Sequence, residues 1–135
     1  MADRFLTEWH RIVAAKDLDG LDRVLAPDIA LSAPPYWEPF RERDLVHHLL
    51  GLILETIEDF TYHREWQNGR EIALEFTGSV AGRNLQGIDL ITLDDADQVA
   101  NLDVLIRPAN AVEALRDAIA PKITAYLASR TTTRA

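Results

Sequence analysis

Hydrophobic positions recur first at helical and later at strand spacing. Phe5, Leu6, Trp9, Ile12 and Val13 fall on one face, predicting an amphipathic helix with Asp3 available as a cap and Glu8 in its early turns. Asp17-Leu18-Asp19-Gly20 interrupts that pattern. Leu21, Val24 and Leu25 then predict a short second helix that stops at Ala26-Pro27, because proline pushes the preceding residue out of the helical region. Ile29 to Ala33 reads as a short strand, and Pro34-Pro35-Tyr36-Trp37-Glu38-Pro39 as a stiff loop running over a rim. A third helix is predicted from about Arg41 to Ile57, with Val46, Leu49, Leu50, Ile53 and Ile57 as its core stripe.

The pattern then changes to strands. Phe60 to Trp66 and Glu71 to Thr77 flank Gln67-Asn68-Gly69-Arg70, where Asn-Gly accepts the positive φ of a tight hairpin turn. Ile72, Leu74 and Phe76 alternate with Glu71, Ala73 and Glu75, which marks the inward face. An Asn68-Gly69 turn sets His63 opposite Leu74 and Tyr62 opposite Glu75. After Gly78 to Asn84, a long hairpin from Gly87 to Pro108 closes around Asp94-Asp95-Ala96-Asp97. That acidic turn lacks the length and terminal Glu of a calcium loop and reads as a solvated turn. From about Asn110 a last helix carries Val112, Leu115, Ala118 and Ile119 on one side, with Pro121 expected to kink or restart it. The order of elements predicts an α+β fold: a curved antiparallel sheet wrapped around N-terminal helices, with a C-terminal helix. At 135 residues a single domain is expected over 1–129, followed by a flexible tail at 130–135.

Composition narrows the function classes. A net charge of -8 argues against nucleic-acid or anionic-lipid partners, which need a basic patch. With no cysteine there is no thiol nucleophile, disulfide or thiolate metal site, and His47-His48 are adjacent rather than a helical turn apart, so no metal site is expected. The N-terminus lacks an apolar signal core, and Leu45 to Ile57 is too short and too interrupted to span a bilayer; a cytoplasmic protein is the expectation. Gly78 to Asn84 has glycines but no phosphate-loop lysine.

One acid stands out. Asp89 lies between Ile88 and Leu90, and Leu102, Val104 and Ile106 should face inward on the following strand. Pairing Leu93 with Gln98 across the acidic turn puts Asp89 on the same side as Leu102, alone among apolar neighbours, where desolvation raises a carboxyl pKa. A turn one residue shorter would set Asp103 opposite Asp89, and the pair would share a proton.

Ile12-Val13-Ala14-Ala15 running into Asp17-Leu18-Asp19-Gly20, Leu25-Ala26-Pro27-Asp28, Gly87-Ile88-Asp89 and Arg107-Pro108 together resemble the SnoaL-like, nuclear transport factor two-like superfamily, over about residues 5 to 119. That cone-shaped fold includes the ketosteroid isomerases, polyketide cyclases and limonene epoxide hydrolases, so the resemblance implies that the curved sheet forms a cone around the helices and leaves the chemistry open. In the ketosteroid isomerases the acid at the position Asp89 matches is the oxyanion-hole carboxylic acid. Their general base precedes a proline at the end of the first strand, where this chain reads Ser32-Ala33-Pro34, and their helix-borne tyrosine falls on Trp9. The Arg-any-Asp pair of the epoxide hydrolases falls on Ala73-Leu74-Glu75, and their last-strand Asp near Val104. Neither activity carries over residue by residue.

The expected function is therefore small-molecule binding, as an isomerase, cyclase, lyase or hydrolase working without a cofactor on a hydrophobic substrate; the alternative is a non-catalytic ligand-binding or assembly domain. Asp89 is the candidate acid or base, with His63 beside it if that ring faces the cavity. Trp9, Tyr36, Trp37, Leu50, Phe76, Leu102 and Val104 are the candidate substrate-binding set. Ile88, Leu90, Leu105, Tyr62 and Trp66 are expected on the outer sheet face, too much apolar surface for a monomer to leave wet, so a homodimer is expected.

Overall fold

The computed structural model describes residues 2–134, with side chains placed as far as residue 130. Helix α1 spans Ala2–Ala15 and buries Phe5, Leu6, Trp9 and Ile12. Asp17 begins α2 (Leu18–Val24), its carboxylate accepting from the Gly20 amide at 3.0 Å, the usual way of satisfying a free first-turn donor. The third helix, α3 (Arg43–Thr56), buries Val46, Leu49, Leu50, Leu52 and Leu54.

Five strands follow the chain as β1 (Leu25–Ser32), β2 (Glu58–Asn68), β3 (Glu71–Val80), β4 (Arg83–Leu93) and β5 (Val99–Arg107), in the spatial order β1-β5-β4-β3-β2. The sheet is antiparallel except that β1 runs parallel to β5, which makes it mixed. Strand β1 starts earlier than expected and contains Pro27; its register breaks between Leu25 and Ala30, so the ladder needs no donor from the proline. The proline loop closes on itself, Leu31 and Phe40 exchanging both backbone hydrogen bonds at 2.8 and 2.7 Å.

Three features of the sheet differ from the sequence reading. The β2–β3 turn falls on Gly69-Arg70, not Asn68-Gly69, and the strand register shifts again between Tyr62 and Glu65. Tyr62 therefore pairs with Phe76 rather than Glu75, and Glu65 rather than His63 pairs with Leu74. Strands β3 and β4 meet in a tight turn at Ala81-Gly82, both with positive φ (51° and 75°), so β4 begins before Gly87. In the β4–β5 hairpin, Asp89 pairs with Val104 and Ile91 with Leu102. That register differs by two residues from the Leu93–Gln98 alignment, and a displacement by two keeps every side chain on its expected face. Asp89, Leu102 and Val104 are together on the concave side, while Asp103 sits opposite Leu90 on the convex side.

Helix α4 (Ala109–Arg134) is continuous through Pro121. The stretch expected as a tail is thus helical as far as Arg134, and Ala135 lies outside the described residues. Leu115 and Ile119 are buried against the main core, and the far half of α4 is tied to α3 by His48 stacked on Tyr126 at 3.9 Å and by the Arg130–Glu42 ion pair. No described helix is long and apolar enough to cross a membrane.

Candidate functional site

The concave face of the sheet and the helices α1 and α3 enclose a hollow of about 40 Å³. Its wall is apolar apart from the Asp89 carboxyl and the Tyr62 and Trp9 polar groups bonded to it in a chain: Asp89 on β4 stands among Leu50, Ile53, Phe60, Phe76, Leu102 and Val104. Asp89 is only 6% exposed. Strand alternation puts it there, since Gly87, Asp89 and Ile91 share a face with Phe76, Leu74 and Ile72 across the β3–β4 ladder.

A hydrogen-bond chain ends on this acid. The Trp9 indole Nε1 donates to Tyr62 Oη at 3.0 Å, and Tyr62 Oη donates to Asp89 Oδ2 at 2.6 Å. Three elements contribute: α1 brings the indole, β2 the phenol and β4 the carboxyl. Around them the rings of Phe60, Tyr62 and Phe76 pack together, Phe60 stacked on Phe76 with centroids 4.7 Å apart and Tyr62 edge-on to both. Gly87 makes room for this packing, because a Cβ there would lie 2.3 Å from Phe76 Cζ.

The electrostatics follow from burial. Loss of water pushes the Asp89 carboxyl up to about 7, opposed only in part by the Tyr62 hydrogen bond, which favours the ionised form. Burial, and after it the neighbouring Asp89, pushes the Tyr62 phenol well above its ordinary range, so Tyr62 stays protonated and keeps donating. Near neutrality Asp89 is thus poised between acid and carboxylate, with Oδ2 engaged by Tyr62. Among the described residues, no other protein group donates to the carboxyl.

A second hollow of about 40 Å³ lies beneath α4, lined by Tyr36, Phe40, Leu49, Leu115, Ile119 and Ile123 among others. Ile53, Val104 and Ile106 border both spaces and form the partition between them.

Most of the residues singled out from sequence converge here. Trp9, Leu50, Phe76, Leu102 and Val104 line the inner hollow with Asp89. Tyr36 lines the second one. Trp37 reaches neither; it is 91% exposed and borders an open groove with Leu90 and Leu105. His63 is also elsewhere: the irregular β2 register turns it to the convex face, where its Nε2 lies 2.7 Å from Thr77 Oγ1 in the open. Tyr62 is the reverse case, inside the hollow although the simple hairpin register put it outside. The alternation of Phe60 and Tyr62 with Thr61 and His63 carried that signal, but a regular ladder from an Asn-Gly turn overrode it.

Among the described residues, no group of three or more histidine and carboxylate side chains is placed to hold a metal ion.

A fold of this kind defines a class, and the comparisons agree with that fold. The SnoaL-like domain family profile matches residues 6–102, and the chain belongs to that family. It is similar to a steroid delta-isomerase from Pseudomonas aeruginosa, at 36% identity over 94% of each chain with a TM-score of 0.88. It is likewise similar to an uncharacterized protein conserved in bacteria, with a cystatin-like fold, from Silicibacter pomeroyi: 32% identity over 87% of this chain and 83% of the other, TM-score 0.83. An NTF2-like protein of unknown function from Cytophaga hutchinsonii shares the fold at 11% identity, TM-score 0.67, over 82% of this chain and 93% of that one. No curated protein matches the sequence.

Proposed function

We propose that the protein binds a small, largely apolar molecule in the Asp89 hollow, and that Asp89 exchanges a proton or hydrogen bond with the ligand's polar group, without a cofactor. The observation that carries this reading is a carboxyl poised near neutrality in an otherwise apolar, aromatic-walled space, with Tyr62 holding one of its oxygens. Protonated, Asp89 donates to a carbonyl or hydroxyl oxygen; ionised, it accepts a proton from the ligand. The relationship to a steroid delta-isomerase supports an isomerase-type proton transfer as the first activity to assay. A larger ligand needs the partition of Ile53, Val104 and Ile106 to shift, joining the two hollows under α4.

A second reading, a ligand-binding domain without turnover, has one specific observation behind it. The strand end where the isomerases carry their base is Ala33, and Asp89 is the one carboxylate among the described residues lining either hollow. A proton transfer between two positions of a ligand then has to use Asp89 for both steps.

The test is a thermal-shift screen of hydrophobic carbonyl compounds against the parent and Asp89→Asn. Stabilisation of the parent that is lost or much reduced in the variant is expected. Equal shifts in both, or none in either, would count against a site at Asp89.

We further propose that the convex sheet face joins two copies of the chain. Trp66, Leu90 and Leu105 are exposed together on that face, and grouped exposed apolar side chains suit a surface that pairs with a second copy.

A further inference from the structure

Two carboxylates are buried in the described structure, Asp89 and Glu75, each 6% exposed, and they sit at adjacent steps of one strand ladder on opposite faces of the sheet. Their surroundings differ in one respect. Glu75 receives a two-pronged ion pair from Arg64, with Nε to Oε1 at 2.7 Å and a terminal guanidinium nitrogen to Oε2 at 2.8 Å, and a further bond from Gln86 at 2.7 Å. Asp89 receives a neutral phenol and nothing else from the protein among the described residues. The residues lining its hollow include no lysine, arginine or histidine.

A buried carboxylate without a cation is costly, and the cost is removed if a cation arrives with the ligand. The hollow offers more than the charge. Trp9, Phe60, Tyr62 and Phe76 present aromatic rings around the acid, and ring faces attract an ammonium and its polarised C–H groups. The net charge of -8 adds a field that draws cations toward the protein. Oδ2 is already engaged by Tyr62, which leaves Oδ1 for the ligand.

We propose that the ligand of the Asp89 hollow is a small hydrophobic amine, held as an ammonium–carboxylate ion pair against the aromatic wall. This rests on the reading that the hollow is the binding site, and it names the ligand's chemistry. The proton balance is simple. A neutral amine takes the proton from the Asp89 acid and becomes the ammonium, or an ammonium enters and the Asp89 proton leaves to solvent.

The groups facing the carboxyl are few. From β2 comes the Tyr62 phenol, whose ring His10 of α1 touches edge-on at 5.2 Å while its Nε2 lies 3.1 Å from Glu65 Oε1. The register partners Leu74 on β3 and Val104 on β5, and Leu50, Ile53 and Leu54 of α3, do not titrate. His10 is the nearest second titratable side chain, so a variant of Asp89 itself is needed to separate the two.

The experiment is calorimetric titration of the full chain with cyclopentylamine and with cyclopentanone, which match in shape and both need the Ile53, Val104 and Ile106 partition to yield so that the two hollows join, for the parent and for Asp89→Asn. An alkylammonium titrates near pH 10, like a lysine, and so stays cationic throughout the range used. Between about pH 6 and about pH 8 the ionised fraction of a carboxyl titrating at about 7 rises from roughly one tenth to nine tenths, so amine affinity should rise about tenfold and ketone affinity fall by a similar factor. In Asp89→Asn the amine should bind at least tenfold more weakly at the higher pH, with no dependence on pH. Ketone binding that depends on Asp89, with amine binding weaker than ketone at both pH values, overturns the amine assignment and leaves the site intact. Binding of neither probe to the parent overturns both. If Asp89→Asn fails to fold, the opposite pH trends in the parent decide alone: parallel or flat trends refute the ion pair.

Discussion

At the scale of single residues, Asp89 is a group the fold tolerates at a cost. A carboxyl that titrates near 3.9 in the unfolded chain and at about 7 in the folded one binds its proton more tightly in the folded state. Folding is therefore favoured below about pH 4 and loses stability as the pH rises toward 7, by up to about 4 kcal/mol from this group. Asp89→Asn keeps the shape and can still accept from Tyr62, so it should remove that slope and leave the variant more stable than the parent at about pH 8. Thermal melts from about pH 5 to about pH 8 check this, and a parent as flat as the variant would contradict it. Glu75 behaves oppositely: Arg64 first, and Gln86 with it, hold its carboxyl down to about 2, so its contribution is lost only in acid, as the pH falls from about 4 through about 2. The sequence marked Asp89, because an isolated acid between Ile88 and Leu90 in an alternating strand has few destinations. Tyr62 was marked only by the alternation of Phe60 and Tyr62 with Thr61 and His63, a signal that a regular ladder from the Asn-Gly turn hid because the register of β2 is irregular.

At the scale of elements, the hollow depends on the close approach of β3 and β4 at Gly87. Its missing side chain lets the Phe76 ring lie flat beside Phe60, and a Cβ there would also meet the Leu105 carbonyl oxygen at 2.6 Å. Gly87→Ala should lower stability by about 1 to 3 kcal/mol, as overpacking of a tight core does, and perturb the aromatic near-UV signal; a variant with parent-like stability would show the site is looser than described. Helices were legible because their apolar stripes are long: α1 and α3 fall within two or three residues of expectation. Turns were legible only where composition announced them. Asn68-Gly69 pointed to the right hairpin and the wrong pair of turn residues, while Ala81-Gly82, where an alanine holds positive φ, carried no comparable sign. Pro121 misled in the other direction, since α4 continues through it, its two halves held by packing on the core and on α3.

At the scale of the whole molecule, the two sheet faces differ in what covers them. The concave face is closed by α1 and α3 over the Asp89 hollow and by α4 over the second hollow, and the convex face leaves Trp66, Leu90 and Leu105 in the open. If that face joins two copies, Leu105→Glu should convert a dimer to a folded monomer with unchanged far-UV dichroism; sedimentation of the parent as a monomer at micromolar concentration would contradict it. The α+β plan with a curved sheet was legible from the order of elements, and the cone from the family resemblance. The parallel docking of β1 on β5 was not, because parallel pairing across most of the chain leaves no local pattern.

Everything proposed for the hollow requires Asp89 to be a buried acid that titrates near neutrality. Carbon-13 NMR of the aspartate and glutamate carboxyls, followed from about pH 4 to about pH 9 in the parent and in Asp89→Asn, measures this directly. One carboxyl with its midpoint at about 7, absent from the variant's spectrum, is the predicted result. Carboxyls that all titrate below about 5 would mean that Asp89 is solvated and that the hollow holds no poised acid.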